Sequence, residues 1–307
     1  MSKVHIVTDS DSDIDPSLAE KLGVVVLPIR VHLDGGDENR HGGRRIGSQT
    51  LDKQVWEDGL DLNREDLLLQ MSERRVHPRV VGPTASDFRR LYSRLTRHTD
   101  QIISLHSSAS LSPICAEAER AAQSFLGRCD IAVMDSETIS LGLQILVKEA
   151  ARLANASVPL HDVLRHIRGL VSRIYVVMVT RTMDYLKYSH LISSTQAVLG
   201  TMLGISPFLS IEDGRIIPME KVRYRERIVD KLIEFAAEFS LVDQVAILQS
   251  VSYPTEETKQ LQERLQQLWP EQDLPILVYG PLLASHVGPD GIGLIVYEGQ
   301  RPEGWVW

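Results

Sequence analysis

Hydroxyl and imidazole side chains are concentrated in two short stretches of the sequence. Residues 105–113 read Leu-His-Ser-Ser-Ala-Ser-Leu-Ser-Pro, and residues 280–289 carry Ser285 and His286 between glycines and prolines. A helix that starts after such a serine run presents free backbone N–H groups and a positive dipole end, which suit a carboxylate or a phosphate. Ser108 and Ser112 would add hydroxyl donors to the same anion, although Ser112 could equally serve only as the helix N-cap. His286 could donate to an anion or bond a loop carbonyl, in a segment whose glycines and prolines predict a fixed loop.

Polar residues also follow three predicted strands. The strand at residues 4–8 runs into Asp9 and Ser10, the strand at 101–105 runs into the serine-rich stretch, and the strand at 130–134 runs into Asp135 and Ser136. Helical patterns alternate with these strands, which predicts an α/β fold with a Rossmann-like parallel sheet. Such sheets bind ligands at the carboxyl ends of their strands, so Ser10 joins the candidate positions.

Helix signals in the first half are clear. Asp15 as N-cap, Pro16 at the first helical position and Gly23 after the last turn predict a helix over residues 16–22. Residues 24–33 predict a single strand, and residues 34–57 a polar excursion or flap. Further helices are predicted at residues 64–75, 86–96, 113–125 and 141–153.

The second half has a different pattern. Residues 208–211 and 215–218 predict a hairpin around Asp213 and Gly214. Other strands are predicted at residues 173–179, 245–248, 275–278 and 293–297, and helices at 193–203, 226–239 and 255–268. Together they indicate an α+β domain with a mostly antiparallel sheet. We therefore divide the 307 residues into two domains, 1–156 and 157–307, which fits about 150 residues per domain.

Composition excludes several classes of protein. Lys and Arg total 33 against 41 Asp and Glu, and this net charge of −8 argues against a nucleic-acid partner. Two cysteines, Cys115 and Cys129, are too few for a disulfide framework or a four-cysteine zinc site. The sequence has no Walker loop, dinucleotide fingerprint, zinc helix or CxxC pair, so we expect neither a cofactor nor a metal. Without a signal-peptide pattern or a long apolar run, we expect a cytoplasmic protein with no integral membrane segment.

Five segments in the same order resemble the DegV family of bacterial fatty-acid-binding proteins. They cover nearly the whole chain and comprise residues 6–10 (Ile-Val-Thr-Asp-Ser), 102–112 (the strand and serine loop), 135–143, 211–223 and 280–289. No single segment is decisive, and the order of all five carries the resemblance.

The resemblance implies a fold, a ligand and a set of contacts. It implies a Rossmann-like domain, an α+β domain and a tunnel between them that holds one long-chain fatty acid. The carboxylate would be held by a threonine at a helix start, serines of the loop and the late histidine, which implies Ser108, Ser112, His286, Thr84 and Ser10 here. The protein would be a carrier rather than an enzyme, and some members present the acyl chain to a fatty acid kinase, for which Arg223 is a candidate contact.

The sequence departs from the family pattern at several positions. Where the family usually reads Thr-Ser-Gln-Pro-Ser, residues 80–84 read Val-Val-Gly-Pro-Thr, so Val80 replaces a threonine hydroxyl. Losing one neutral donor to a charged acceptor costs about 1.5–3 kcal/mol, which Thr84 could partly offset from a turn away. Ala109 and Pro113 stand where serine and glycine are common. A usual Arg-Gly-Gly-Arg stretch is replaced at residues 188–191, and residues 34–57 resemble an insertion.

Two alternatives remain open from the sequence. Val80 also suits a carrier of another amphiphile, such as an isoprenoid or a neutral lipid. A serine-type hydrolase would use Ser10, Ser108 or Ser112 with His286, but the chain has no Gly-x-Ser-x-Gly nucleophile elbow.

Overall fold

The computed structural model describes residues 3–33, 55–223 and 227–300. Its first sheet has four parallel strands in the order β2-β1-β6-β7: β1 His5–Asp9, β2 Val24–Leu27, β6 Gln101–His106 and β7 Asp130–Asp135. Helices cover both faces of this sheet, so the predicted Rossmann-like arrangement is confirmed. They are α1 Pro16–Leu22, α2 Arg64–Arg74, α3 Ala85–Leu95, α4 Ile114–Ala122 and α5 Ser140–Asn155.

The second sheet has six strands in the order β10-β9-β8-β13-β11-β12. They are β8 Ile174–Val179, β9 Ser206–Glu212, β10 Arg215–Val222, β11 Val242–Gln249, β12 Ile276–Val278 and β13 Ile292–Glu298. Neighbouring strands are antiparallel except for β11 and β12, which confirms the mostly antiparallel sheet. The accompanying helices are α6 Leu160–Val171, α7 Asp184–Tyr188, α8 Ser194–Met202, α9 Ile228–Ala236, α10 Glu256–Leu268 and α11 Pro281–Val287.

The strand predicted over residues 24–33 is wrong. The chain leaves β2 at Pro28, which has no backbone N–H for a sheet ladder. The next N–H, that of Ile29, bonds Ser10 Oγ at 3.0 Å instead of a neighbouring strand. A separate antiparallel sheet follows, in the order β4-β3-β5, with β3 Arg30–His32, β4 Val55–Glu57 and β5 Arg79–Val81. Residues 34–54 of the predicted excursion lie outside the described residues.

The fixed loop predicted over residues 280–289 is also wrong, because most of it is α11. Pro281 occupies the first helical turn, where its fixed φ is suited to a helix and no N–H is needed. Gly280 is the N-cap, and Gly288 ends the helix with φ 89°. The glycines and proline that predicted a loop therefore lie at the two ends of a helix.

Three apolar clusters hold these elements together. One lies between the first sheet and α3 and α4, and another between the second sheet and α9 and α10. The largest contains residues of β1, β6, α5, α6, β8, β13 and α11, so it connects the two sheets. Within it, Gly142 allows close packing, since a Cβ atom there would lie 2.8 Å from Ile174 Cγ2. Among the helices of the described residues, none is long and apolar enough to cross a bilayer.

Candidate head-group site

The carboxyl ends of β1, β6 and β7 meet, as the sequence predicts. Asp9 Oδ2 lies 3.0 Å from His106 Nδ1 and accepts from the backbone N–H of Ser107 at 3.1 Å. The backbone N–H of Ser136 donates to the carbonyl of His106 at 3.0 Å. These bonds fix the start of the loop 107–113, which we call the serine loop.

A buried Ser-His-Asp chain lies beneath this edge and was not predicted. Ser104 Oγ is 2.7 Å from His106 Nε2, and Tyr92 donates its hydroxyl to the same serine at 2.8 Å. Ser104, His106 and Asp9 are all 0% exposed. A nucleophile must contact its substrate, and these three buried side chains cannot. Their hydrogen bonds therefore serve to order the strand ends. The alternation of Ser104 and His106 along one strand was the available signal, but the partner Asp9 is almost a hundred residues away.

Within the serine loop, the hydroxyl hydrogen of Ser108 is already donated, whereas that of Ser112 is not. Ser108 donates to the carbonyl of Gly214 in the β9–β10 hairpin at 2.6 Å and accepts from Ser110 N at 3.1 Å. Ser112 Oγ accepts from the backbone N–H of Ile114 at 3.3 Å, so its own hydrogen remains available to donate. The N-cap of α4 is Pro113 rather than Ser112, because α4 begins one residue later than predicted.

Helix α11 brings His286 against this loop. His286 Nε2 lies 3.2 Å from the carbonyl of Leu111, and Nδ1 is buried with no partner among the described residues. Burial lowers the pKa of His286, and the bond to Leu111 only partly opposes that effect. The same end of α11 is also held by Thr180, whose Oγ1 donates to the carbonyl of Val287 at 2.7 Å.

The segment at residues 80–84 lies next to both α11 and the start of α4. Val80 pairs with Val31 in the small sheet, and β5 packs against α11. A Cβ atom at Gly82 would lie 2.3 Å from Ile114 Cγ1, so only glycine allows this approach to the start of α4. Thr84 is the N-cap of α3, and its hydroxyl donates to Asp87 Oδ2 at 2.8 Å. Val80, Ser112 and His286 thus lie on neighbouring elements.

Ser10 and Arg223 lie elsewhere. Ser10 lines a cleft of about 740 Å³ between α1, β2 and β12, together with Arg64. Its Oγ accepts from Ile29 N, as described above. Arg223 follows β10 at an edge of the six-stranded sheet and is exposed. The bonds that join His286 to the serine loop include neither residue.

The cluster of charged side chains around Arg64 was not predicted from the sequence. Arg64 binds both oxygens of Asp58 at 2.8 Å, pairs with Asp13 and donates to the carbonyl of Val278 at 3.3 Å. Asp11 lies beside them, with Oδ2 buried and unpaired among the described residues. Burial and then the neighbouring Asp9 and Asp13 raise the pKa of Asp11 well above its usual range. The alternating aspartates at residues 9, 11 and 13 were a visible signal, whereas Arg64 had none.

A larger cleft of about 1050 Å³ lies at the edge of β7, between α6, β9 and α9. Most of its charged lining residues are acidic, and neither this cleft nor the one beside Ser10 is lined by Val80, Ser112 or His286. Within residues 3–33, 55–223 and 227–300, no three His, Cys, Asp or Glu side chains are grouped so that they could hold a metal ion.

Comparison with known proteins finds this architecture in bacterial relatives. The model of the DegV family, described as uncharacterised proteins, matches residues 48–299. A DegV domain-containing protein of Deinococcus radiodurans is 28% identical over 296 residues, which covers 95% of this chain and 97% of the relative.

Solved structures agree with this match. The chain is similar to a DegV family protein from Thermus thermophilus described as fatty acid binding, with 26% identity, 96% and 99% of the two chains covered and a TM-score of 0.77. A fatty acid binding DegV family protein from Streptococcus agalactiae has 20% identity, with 98% and 100% covered and a TM-score of 0.80. The fold expected from the five sequence segments is confirmed.

Proposed function

This chain belongs to the DegV family, and from that premise we propose that it binds one long-chain fatty acid and carries it without chemistry of its own. The observation that carries the proposal is the contact between His286 and the serine loop. It places an unpaired ring nitrogen and the available Ser112 hydroxyl on adjacent elements. The Thermus thermophilus relative, described as fatty acid binding, supports the same ligand class.

In this proposal the head group is held mainly by Ser112 and His286. Ser108 and Thr84 act by building the site, because their hydroxyl hydrogens already bond Gly214 and Asp87. Val80 contributes only methyl groups at the place of the family threonine. Ser10 is left out of the head-group set because it lines the separate cleft beside Arg64.

The acyl chain would lie in an apolar tunnel between the two domains, residues 1–156 and 157–307. The proposed boundary lies between the end of α5 at Asn155 and the start of α6 at Leu160. The large apolar cluster shared by both sheets, which includes residues of α11, supports that location. A fatty acid kinase is the proposed partner, and it would phosphorylate the carboxylate that the carrier presents. Arg223, exposed after β10, is the proposed contact for this partner.

The test is a titration of the purified protein with oleate, preceded by solvent extraction and lipid mass spectrometry of any bound lipid. We expect a C14–C18 fatty acid and one oleate site per chain. Ser112→Ala should raise the Kd about tenfold, because one hydrogen bond to a charged or polar head group is lost. Ser108→Ala is the matched control and should leave the Kd within about threefold.

Val80→Thr is the complementary change, since it restores a hydroxyl and should tighten oleate binding. Extraction of an isoprenoid or a neutral lipid in place of a fatty acid would contradict the proposed ligand. Equal affinities of wild type, Ser112→Ala and Val80→Thr would contradict the proposed head-group contacts.

A further inference from the structure

The hydrogen-bond polarity of His286 is fixed by its neighbour. A carbonyl oxygen can only accept, so the ring nitrogen 3.2 Å from the Leu111 carbonyl, Nε2, carries the hydrogen. In the neutral ring the other nitrogen, Nδ1, is then an acceptor. Only the imidazolium has donors on both nitrogens.

The surroundings of His286 favour the neutral ring. The elements packed against α11 are α2, α7 and β5. Their ionisable side chains are Arg64, Glu65, Asp66, Glu73 and Arg74 on α2, Asp184, Tyr185, Lys187 and Tyr188 on α7, and Arg79 on β5. His77, between α2 and β5, stacks on Tyr188 of α7 with ring centroids 4.3 Å apart. Burial lowers the pKa of His286, and only the bond to the neutral Leu111 carbonyl in the serine loop opposes this effect. None of the carboxylates on the neighbouring elements holds the ring charged.

A neutral Nδ1 does not match a carboxylate. Both are acceptors, and a buried acceptor without a donor is rare in folded proteins. Val80 has no hydroxyl, and the hydroxyl hydrogens of Ser108 and Thr84 are already donated, which leaves Ser112 as the donor among the predicted contacts beside His286. A head group that brings its own hydrogen satisfies both sides: its O–H donates to Nδ1, and its oxygen accepts from Ser112.

We propose that this site takes up one proton with each fatty acid, and that the proton is shared between the ligand carboxyl and His286 Nδ1. The inference rests on the proposed function and deepens it. The proton comes from solvent, since the free ligand is a carboxylate and the free ring is neutral at pH 7 and above. A fatty alcohol already carries the required O–H and needs no added proton.

The experiment compares lauric acid with 1-dodecanol, each below its solubility limit, by calorimetric titration between pH 7.0 and 9.0. We expect the Kd of lauric acid to rise about tenfold per pH unit, because one proton is bound with the ligand. The Kd of dodecanol should stay constant. At pH 7.5, titrations in phosphate and in Tris, which differ in ionisation enthalpy, should give an uptake close to one proton per lauric acid.

Two variants locate the proton. His286→Gln replaces the ring with an amide that can donate to a carboxylate without titrating, so the dependence of the lauric acid Kd on pH should disappear. His161→Gln, on the exposed face of α6, is the control and should keep the full slope. The buffer comparison needs only wild-type protein, so it decides the proposal even where His286→Gln fails to fold.

The outcomes separate the two proposals. Lauric acid binding with no proton uptake and a flat pH profile would overturn the inference while the proposed function stands. An unchanged slope in folded His286→Gln would also overturn it. Binding of neither ligand would overturn the proposed function and the inference with it.

Discussion

The two ends of α11 lie over regions of opposite character. Its N-cap, Gly280, packs on charge: a Cβ atom there would lie 3.1 Å from Asp11 Oδ1 and 3.4 Å from Arg64 Cζ. Its last turn places His286 on the neutral serine loop. At the charged end Arg64 pairs with Asp13 and Asp58. At the neutral end, among the described residues, His286 Nδ1 has no partner and the Ser112 hydroxyl hydrogen is not donated.

The difference separates a structural role from a binding role. Buried charges must be paired, so the Arg64 bonds leave that guanidinium little capacity for a ligand. Leaving a neutral polar group unpaired costs less free energy, so such a group can remain unpaired until a ligand binds. We expect substitutions at the charged end to change stability and substitutions at the neutral end to change affinity.

The largest expected effect is at Arg64. Arg64→Met leaves Asp13 and Asp58 buried without their cation, and removing one partner of a buried ion pair costs about 3–5 kcal/mol. Urea denaturation at pH 7.5 measures the free energy of unfolding. Arg64→Lys keeps the charge but not the two-pronged contact with Asp58, so its loss should be smaller. A loss below about 1 kcal/mol in Arg64→Met would remove the distinction between the two ends.

Asp11 should give the charged end its dependence on pH. Because the folded state raises the pKa of this carboxyl, wild type loses stability as pH rises above about 3.8, until the folded-state pKa is passed. Asp11→Asn lacks this loss. Its free energy of unfolding relative to wild type should therefore increase with pH, by at most about 1.4 kcal/mol per unit.

Urea denaturation between pH 4.5 and 7.5 measures this difference. The control is Glu271→Gln, an exposed loop position, for which the difference from wild type should change little with pH. A constant difference between Asp11→Asn and wild type over this range would refute the assignment of Asp11.

The smallest effect is expected at Thr84, which tests whether the head-group site at the neutral end of α11 extends to the start of α3. Thr84→Ala removes a helix cap and should cost about 1 kcal/mol of stability, because the backbone N–H of Asp87 loses its hydrogen bond to the Thr84 hydroxyl. Oleate affinity should be unchanged, since the Thr84 hydrogen is donated to Asp87 rather than to a ligand. Thr84→Ser restores the cap. A weakened affinity in folded Thr84→Ala would extend the head-group site to this residue.

Local signals predicted much of this fold. Asp15, Pro16 and Gly23 define α1 as expected, with Gly23 at φ 73°. The hairpin around Asp213 and Gly214 also forms at its predicted place. Caps and tight turns depend on residues within one turn of each other, so the sequence displays them directly.

The predictions that failed concern segments whose structure depends on hydrogen bonds to residues far away in the sequence. Residues 24–33 alternate like one strand, but the break after β2 depends on a bond from Ile29 to Ser10. The stretch at residues 280–289 has loop composition, yet its helix is fixed by Thr180 and Leu111. In the site, Ser112 and His286 were predicted individually. The family resemblance placed them at one carboxylate. The bond from His286 to Leu111 and the bond from Ser108 to Gly214 required the tertiary structure.

The apolar cluster that joins the two sheets would make the two predicted domains thermodynamically dependent on each other. Helix α5 belongs to the first domain by sequence, but it buries its side chains in the same cluster as β8 and β13 of the second. Either domain alone would expose that apolar face to water. The two predicted domains are therefore not expected to be interchangeable. If one were exchanged for a relative's counterpart, the side chains at the contact between α5 and β8 would have to be changed so that they pack again.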